Sequence, residues 1–291
     1  DPANLRRPAL KLFVSLLPEK MQSGVWTFGQ WVNMLIPHGT VTKQWKGNAI
    51  KSIQKINSAG LYTNIEDAIL ISTWDWRRDK PIAGEKRSLI LLTDGIVDVS
   101  KDEKDNQMSR KRILQEHLPS LQMSGITIHT VALSNGSDKK LLEQLTTATG
   151  GRFETIETAK DLERLFLHLF ENVAPTDNLP LVDNKVKVDK SIKEMTFLMF
   201  RQDAEKEGSI KSPSGNDYTI TKQHPEMTWH HESHYDLVTV NNPEKGYWVI
   251  NTKADPDNRV MVVTDLKLVA SNLPSILYKG DEQNFYVQLE N

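Results

Sequence analysis

The sequence predicts an α/β module with a doubly wound, mostly parallel sheet, followed by an antiparallel β-sandwich. Helical and strand-like periodicities alternate over residues 1–174, which is typical of strands joined by crossover helices. Within this region Leu89–Leu92 is an unbroken apolar run, as in a parallel strand covered on both faces. After Pro175 the pattern shortens to period two. We therefore place the sandwich over 175–270 and the start of a further β module, or a linker, over 271–291.

The α/β module is predicted from apolar residues at three- and four-residue spacing in its helices and from short apolar runs in its strands. In chain order, the predicted elements are helix 2–17 with Asp1 as its N-cap, strands 24–28 and 32–36 around a turn at Gly29 and Gln30, helices over 44–56 and from Ile65, strand 88–93, helix 109–123, strand 126–132, helix 138–148, strand 152–155 and helix 159–170.

The second module is predicted to consist of short strands separated by turn sequences such as Pro213–Asn216. The strands are predicted at Met195–Phe200, Ser209–Lys211, Asp217–Ile220, Thr228–Trp229, Tyr235–Val240, Gly246–Asn251 and Val260–Leu268. A last strand over Phe285–Leu289 has no later segment to pair with, which is why we expect a further module to begin there.

Composition excludes several classes of function. The formal net charge is −2, so the bulk charge favours neither nucleic acid nor an anionic membrane as a partner. The chain contains no Cys, which excludes disulfides, zinc ribbons and thiol nucleophiles. No apolar stretch approaches the roughly 20 residues that a membrane helix needs, so we expect no membrane-spanning segment.

Two residues are candidate metal ligands. Thr63 and Asp94 each follow a segment that enters the crevice at the carboxyl end of the predicted sheet. Hydroxyl and carboxylate oxygens are ligands that hard cations prefer. An alternative interpretation is structural, because a Thr before a helix is often an N-cap and Asp-Gly is often a turn.

Several phrases carry a resemblance to a known family. Tyr62–Ile65, Lys86–Gly95, Ile126–Leu133 and Ala148–Phe153 occur in the order found in the von Willebrand factor A family, and the chain resembles it over residues 1–173. The resemblance is to bacterial members with a following β-sandwich domain. It implies a metal-ion-dependent adhesion site in which Mg²⁺, or Ca²⁺ or Mn²⁺, is held by an Asp-x-Ser-x-Ser loop, a Thr and an Asp. The last two correspond to Thr63 and Asp94.

The Asp-x-Ser-x-Ser loop is missing. No such pattern occurs in the 291 residues, and in the family it follows a central first strand that precedes the first helix. We expect that strand and loop to lie upstream of Asp1, and we expect the residues present to hold a metal weakly or not at all. Glu66 stands where many relatives have Gly, and we expect its carboxylate to point to solvent.

The resemblance predicts a non-enzymatic adhesion module that binds a protein ligand through an acidic residue. A partner carboxylate would complete the coordination shell of the metal. The absence of Cys and the sandwich-like second module favour the bacterial periplasm or cell surface. The residues expected to form the rim around the ligand are Gln30, Trp31, Asn33, Ile96 and Asp98.

Two alternatives remain at this point. The segment His224–His234 holds four of the eight His residues and two Glu residues, and it is a candidate zinc site of an enzyme. In a continuous strand, His230 and His234 would share one face. The other alternative is an intracellular assembly factor. Neither a Gly-x-Ser-x-Gly elbow nor a phosphate-binding Gly-rich loop is present in the sequence.

Overall fold

The computed structural model describes residues 6–57, 60–156, 158–174, 177–201, 208–264, 267–270 and 287–290 of the chain. The molecule divides into two compact units, Asp1–Pro175 and Thr176–Asn291. None of the helices in these ranges is both long enough and apolar enough to span a bilayer.

The first unit alternates helices and strands as predicted. Its helices are α1 (Arg6–Leu16), α2 (Lys43–Ile53), α3 (Ile65–Ser72), α4 (Trp74–Arg78), α5 (Glu103–Arg112), α6 (Leu118–Met123), α7 (Lys139–Thr149) and α8 (Ala159–Val173). Its strands are β1 (Gln22–Phe28), β2 (Val32–Thr40), β3 (Arg87–Thr93), β4 (Ile126–Ala132) and β5 (Phe153–Thr155). The helix predicted over 109–123 begins earlier, at Glu103, and a π-helical turn, Ile113–His117, separates α5 from α6.

Polar residues begin the helices that carry the site and its surroundings. In each case a side-chain oxygen before the first turn accepts a hydrogen bond from a backbone N–H that has no partner within the helix. The capping residues are Thr42 for α2, Asn64 for α3, Asp138 for α7 and Thr158 for α8.

The parallel sheet has the order β3-β4-β5. Arg87 pairs with Ile126 and Thr93 with Ala132, so β3 and β4 end at the same edge. Helices cover both faces: Leu91 and Ile128 pack in one buried cluster that includes residues of α3, α6 and α7. On the opposite face Val131 packs with residues of α1 and α8. The predicted fold class of this unit is confirmed.

The predicted hairpin is present and longer than expected. Strand β1 pairs with β2 in antiparallel fashion from Gln22 opposite Thr40 to Phe28 opposite Val32. The hairpin packs through Ile36 against Val14 of α1 and Ala49 of α2. Among the described residues it forms a two-stranded sheet of its own, separate from the parallel sheet.

The second unit consists of antiparallel sheets. Its strands are β6 (Asp177–Asn178), β7 (Lys185–Val188), β8 (Ile192–Phe200), β9 (Ile210–Lys211), β10 (Asp217–Tyr218), β11 (Met227–His231), β12 (Tyr235–Asn241), β13 (Gly246–Ile250), β14 (Arg259–Thr264), β15 (Lys267–Ala270) and β16 (Val287–Glu290). One sheet has the order β11-β12-β8-β14-β6, the other β10-β9-β13-β7, and β15 pairs with β16.

The two larger sheets share one hydrophobic core. Phe197 of β8, in the five-stranded sheet, packs against Trp248 of β13, in the four-stranded sheet, with ring centroids 6.1 Å apart. Alternating apolar residues of both sheets fill this core. They include Met195 and Val260 of predicted strands, and Val186 of β7, a strand that the sequence pattern did not predict. Period-two patterning therefore predicted the antiparallel sheets of this unit correctly.

The end of the chain differs from the expectation in two respects. The strand predicted over Val260–Leu268 ends at Thr264, and a new strand begins at Lys267. The last strand has a partner, because β16 pairs with β15 from Val287 opposite Ala270 to Glu290 opposite Lys267. Residues 271–286 and Asn291 lie outside the described residues, so the module predicted over 271–291 stays a prediction.

Candidate functional site

Asp94 comes directly after β3, at the carboxyl end of the parallel sheet, and its side chain is exposed. Gly95 follows it. Because carboxyl ends of parallel strands meet at one edge, the loop that follows β4 lies beside this residue. Asp94 is thus at the position where α/β sheets bind their ligands.

Thr63 lies just before α3 and is held by its backbone. Its N–H donates to the Asp98 carbonyl at 2.8 Å, and the Asp98 N–H donates to the Thr63 carbonyl at 3.1 Å. The next residue, Asn64, donates its N–H to the Gly29 carbonyl in the hairpin turn at 3.0 Å. Three loops, from the hairpin turn, from before α3 and from after β3, are therefore tied together at one point.

The two predicted ligands converge at this point. A Cβ atom placed on Gly95 would lie only 2.8 Å from Thr63 Oγ1, so the Thr63 hydroxyl lies against the glycine that follows Asp94. Thr63 and Asp94 also line the same cavity. A side chain at Gly95 would push the two apart, which is the structural reason for a glycine here.

Two serines that the sequence analysis missed fasten the Asp94 segment. Ser134 Oγ donates to the Asp94 carbonyl at 2.7 Å, and Ser137 Oγ donates to the Thr93 carbonyl at 3.0 Å. Both serines follow β4 in the sequence. The parallel pairing of β3 with β4 was therefore the signal that could have placed them beside the Asp94 segment. The same loop ends at Asp138, whose carboxylate accepts a hydrogen bond from Arg110 Nε at 2.6 Å.

The predicted rim residues occupy two of the loops. Gln30 and Trp31 are in the hairpin turn and Asn33 is the second residue of β2; all three are exposed, Trp31 to 73%. Ile96, 53% exposed, and Asp98 follow β3. These positions surround the Thr63 loop, and their role in binding stays a prediction.

Glu66 does not point to solvent, and this expectation was wrong. Its carboxylate is buried and accepts hydrogen bonds from Ser109 at 2.7 Å and from both Nε and a terminal nitrogen of Arg112 at 2.7 and 2.6 Å. The ring of His117 lies at 2.9 Å. Burial alone raises the pKa of Glu66, but the hydrogen bonds from Arg112, Ser109 and His117 outweigh it and lower the pKa from 4.5 to about 2.

Glu66 therefore serves a different purpose from metal binding. All the contacts of its carboxylate come from α5 and the π-helical turn, so they fasten α3 to that helix. Nothing in the local sequence around Glu66 signals this, because its partners are more than forty residues away. The fixed start of α3 in turn holds the Thr63 loop in place.

The donor set at the site suits a hard cation but is small. A hydroxyl from Thr63 and a carboxylate from Asp94 would supply two of the six oxygens that Mg²⁺ takes. In the described part of the chain no group of three or more His, Asp or Glu residues is placed to hold a metal ion. The residues present fit two positions of an octahedral shell.

The His-rich segment does not supply a zinc site within the described residues. His230 lies in β11, and His234 lies beyond its end in the turn to β12, so the two residues do not share one continuous strand. His231 Nδ1 lies 2.6 Å from Asp236 Oδ1. Asp236 is fully buried and also accepts from Trp229 Nε1 at 3.1 Å, so this cluster links neighbouring strands.

The fold and the site define the class of protein. Helices cover both faces of a parallel sheet, and the carboxyl edge of that sheet carries a hydroxyl and a carboxylate in adjacent loops. The family model of the von Willebrand factor type A domain matches residues 2–168. The chain belongs to this family, whose domains are generally non-enzymatic modules that bind proteins.

Solved structures similar to this chain come from distant organisms. A von Willebrand factor type A protein from Catenulispora acidiphila is 13% identical, with a TM-score of 0.50 over 89% of this chain and 59% of its own. The ArnB paralog VWA2 from Sulfolobus acidocaldarius is 14% identical, with a TM-score of 0.41 over 90% of this chain and 60% of its own.

A third structure is proximal thread matrix protein 1 from the mussel byssus, with a zinc-occupied MIDAS motif. It is 19% identical, with a TM-score of 0.45 over 66% of this chain and 46% of its own. The chain thus spans less than two thirds of the length of all three proteins. No curated protein sequence matches the chain.

Proposed function

We propose that the chain is a non-enzymatic module that binds an acidic protein ligand through a divalent cation held at Thr63 and Asp94. The observation that supports this most strongly is the contact of Thr63 Oγ1 with Gly95, the residue that follows Asp94. A hydroxyl and a carboxylate in adjacent loops at the carboxyl edge of a parallel sheet match the family's adhesion site.

Coordination chemistry explains how such a site binds a partner. Mg²⁺ or Mn²⁺ with two protein ligands keeps water at its remaining positions. A partner carboxylate replaces one water and brings a full negative charge to the cation. No covalent bond is made or broken, so binding depends on this contact and on the surrounding surface.

The exposed rim supplies that surface. Trp31 and Ile96 are large apolar side chains that are more than half exposed, and they stand on the two loops that flank Thr63. An aromatic residue beside a charged contact is typical of the centre of a protein interface. We propose the bacterial periplasm or cell surface as the place where this binding occurs.

Mn²⁺ titration followed by electron paramagnetic resonance tests the site. With two protein ligands, we expect a dissociation constant of about 10⁻³ M or weaker. Asp94→Asn removes the charged ligand and should weaken Mn²⁺ binding by about tenfold or more, equivalent to at least about 1.4 kcal/mol. Thr63→Ala should weaken it less, because a neutral ligand is lost.

The matched control is Asp79→Asn, the same carboxylate-to-amide change at an exposed position of the same unit. It should leave Mn²⁺ binding unchanged. If Asp94→Asn binds Mn²⁺ as the unmodified chain does, the proposed site is wrong. An acidic peptide that binds equally well with Mn²⁺ and with excess chelator would contradict the proposed role of the cation.

A further inference from the structure

The backbone of Asp98 is fixed from both sides. Asp98 forms an isolated antiparallel bridge with Thr63, through backbone hydrogen bonds of 2.8 and 3.1 Å. The side chain of Val97 is buried in the core of the first unit. The N–H of Val99 donates to Asn106 Oδ1 of α5 at 2.7 Å. Asp98 is therefore held in place, although residues of surface loops are usually mobile.

The bridge places the side chains of Thr63 and Asp98 side by side. Residues directly opposite each other in an antiparallel pair direct their side chains to the same face, with Cβ atoms about 5.5 Å apart. The Thr63 hydroxyl also lies against Gly95, the residue after Asp94. The segment from Asp94 to Asp98 therefore passes around the Thr63 side chain, with a carboxylate at each end.

The carboxylate of Asp98 has no partner within the described part of the chain. Asp98 is half-buried, yet none of the hydrogen bonds and ion pairs among the described residues involves its carboxylate. Asp138 is also half-buried, but its carboxylate accepts from Arg110 Nε at 2.6 Å and from the Leu141 N–H at 3.0 Å. Because partial burial of an uncompensated negative charge costs free energy, a cation is the chemical complement of Asp98.

The Thr63 hydroxyl does not compensate Asp98 either. Within the described residues no hydrogen bond joins the two side chains, although their backbones are paired. With Cβ atoms about 5.5 Å apart, a water molecule on a cation at Thr63 can reach the carboxylate. A bridging water is nearly as favourable as a direct hydrogen bond, and carboxylates outside the coordination shell commonly orient the groups that bind a metal.

We propose that Asp98 is a positioning residue of the cation site, and that its carboxylate accepts a hydrogen bond from a water bound to the cation beside Thr63. The inference rests on the proposed function, because it needs a cation at Thr63 and Asp94. Asp98 adds a negative charge close to the ion without taking one of the ion's coordination positions. It therefore strengthens cation binding and does not compete with the partner carboxylate.

Mn²⁺ titration of the full chain, followed by water-proton relaxation, tests this role. Asp98→Asn keeps the size of the side chain and removes its charge. It should weaken Mn²⁺ binding by about tenfold, the lower end of the loss expected for an outer contact of a metal site. Asp98→Glu keeps the charge and should weaken Mn²⁺ binding less than Asp98→Asn does.

The matched control is Asp79→Asn, the same change at an exposed position at the other end of β3. The Asp79 carbonyl accepts a hydrogen bond from Arg87, the first residue of that strand, whereas Asp94 follows its last residue. Asp79→Asn should leave Mn²⁺ binding unchanged. Loss of Mn²⁺ binding in the control equal to that in Asp98→Asn would overturn the proposal, because the effect would not depend on the position of the charge.

Oxygen-17 relaxation at saturating Mn²⁺ distinguishes a contact through water from direct binding. The unmodified chain and Asp98→Asn should have the same number of water molecules on the ion. Exchange of these waters with the solvent should be faster in the variant, because a hydrogen bond to one of them is lost. One additional water in the variant would show that Asp98 binds the ion directly, and equal exchange rates would show that it acts through charge alone. Either result would overturn the proposal.

Asp94→Asn separates a failure of this inference from a failure of the proposed function. If Asp94→Asn weakens Mn²⁺ binding and Asp98→Asn does not, the cation site stands and the role of Asp98 is wrong. If neither variant weakens Mn²⁺ binding, both the site and the role of Asp98 are wrong. Weaker binding in Asp98→Asn alone would place the ion elsewhere and would also contradict both.

Discussion

Strands β3 and β8 are both apolar, yet their edges differ. Strand β8 pairs with β12 on one side and with β14 on the other. Within the described residues, β3 pairs with β4 alone, and its other side lines the cavity between β1 and β3. In this part of the chain β3 thus has an open edge beside the loops that carry Thr63 and Asp94, whereas β8 has a partner on both sides.

The burial of the side chains in β8 and β3 differs in the same way. In β8, Phe197, Leu198 and Met199 are completely buried. In β3, Ile90 and Leu92 keep intermediate exposure although they are as apolar. A strand that is hydrogen-bonded to neighbouring strands on both sides contributes mainly to stability, and a strand with an open edge is available for binding.

The same substitution in the two strands should therefore have different effects, and this is the largest difference we expect. Leu198→Ala removes a fully enclosed side chain and should lower the free energy of unfolding of the second unit by about 3–5 kcal/mol. Leu91→Ala should lower that of the first unit by about 2 kcal/mol, because part of its side chain already borders a cavity. Native-state hydrogen exchange measures each unit separately. Equal losses of unfolding free energy in Leu198→Ala and Leu91→Ala would contradict this comparison of the two strands.

An intermediate effect is expected from Glu66, which fastens α3 in the first unit. Its pKa is lowered in the folded state from 4.5 to about 2, so its stabilisation is present above pH 4.5 and is lost as the pH falls towards 2. The full shift corresponds to about 3 kcal/mol, and this is an upper limit because Arg112 is 38% exposed. Glu66→Gln should remove most of this stabilisation at pH 7.

Acid titration of unfolding by urea provides the measurement. The difference in the free energy of unfolding between the unmodified chain and Glu66→Gln should shrink as the pH falls from 4.5 to 2. A difference that stays constant over this range would show that the charge of Glu66 is not what stabilises α3. The second unit serves as the internal control, since its unfolding should be the same in both chains.

The smallest effect is expected at the N-cap of α3. Asn64 Oδ1 accepts from the Asp67 N–H at 3.0 Å, and Asn64→Ala should lower the free energy of unfolding of the first unit by about 1 kcal/mol. Asn64→Asp keeps an acceptor and should lower the free energy of unfolding by less. Because the adjacent Thr63 loop loses an anchor, Mn²⁺ binding should also weaken in the alanine variant and stay normal in the aspartate variant.

Much of the first unit was predictable because its local patterns agree with its final structure. The apolar run before Asp94 predicted a strand covered on both faces, and the position of Thr63 before a helix placed it at the same edge. The burial and hydrogen bonds of Glu66 were not predictable, because its partners on α5 and the π-helical turn are distant in sequence. The turn after His231 separates His230 from His234, so the two do not lie on one strand.

Alternating helix and strand periodicity determined by itself that a parallel sheet exists and that Thr63 and Asp94 lie near its carboxyl edge. That information is local, because it depends on which faces of each element are apolar. Only the tertiary structure decided that Ser134 fastens the Asp94 segment, that Glu66 is buried against Arg112, and that β1 and β3 line one cavity. Pairing between strands and contacts between distant side chains depend on how the elements assemble, and no local pattern specifies them.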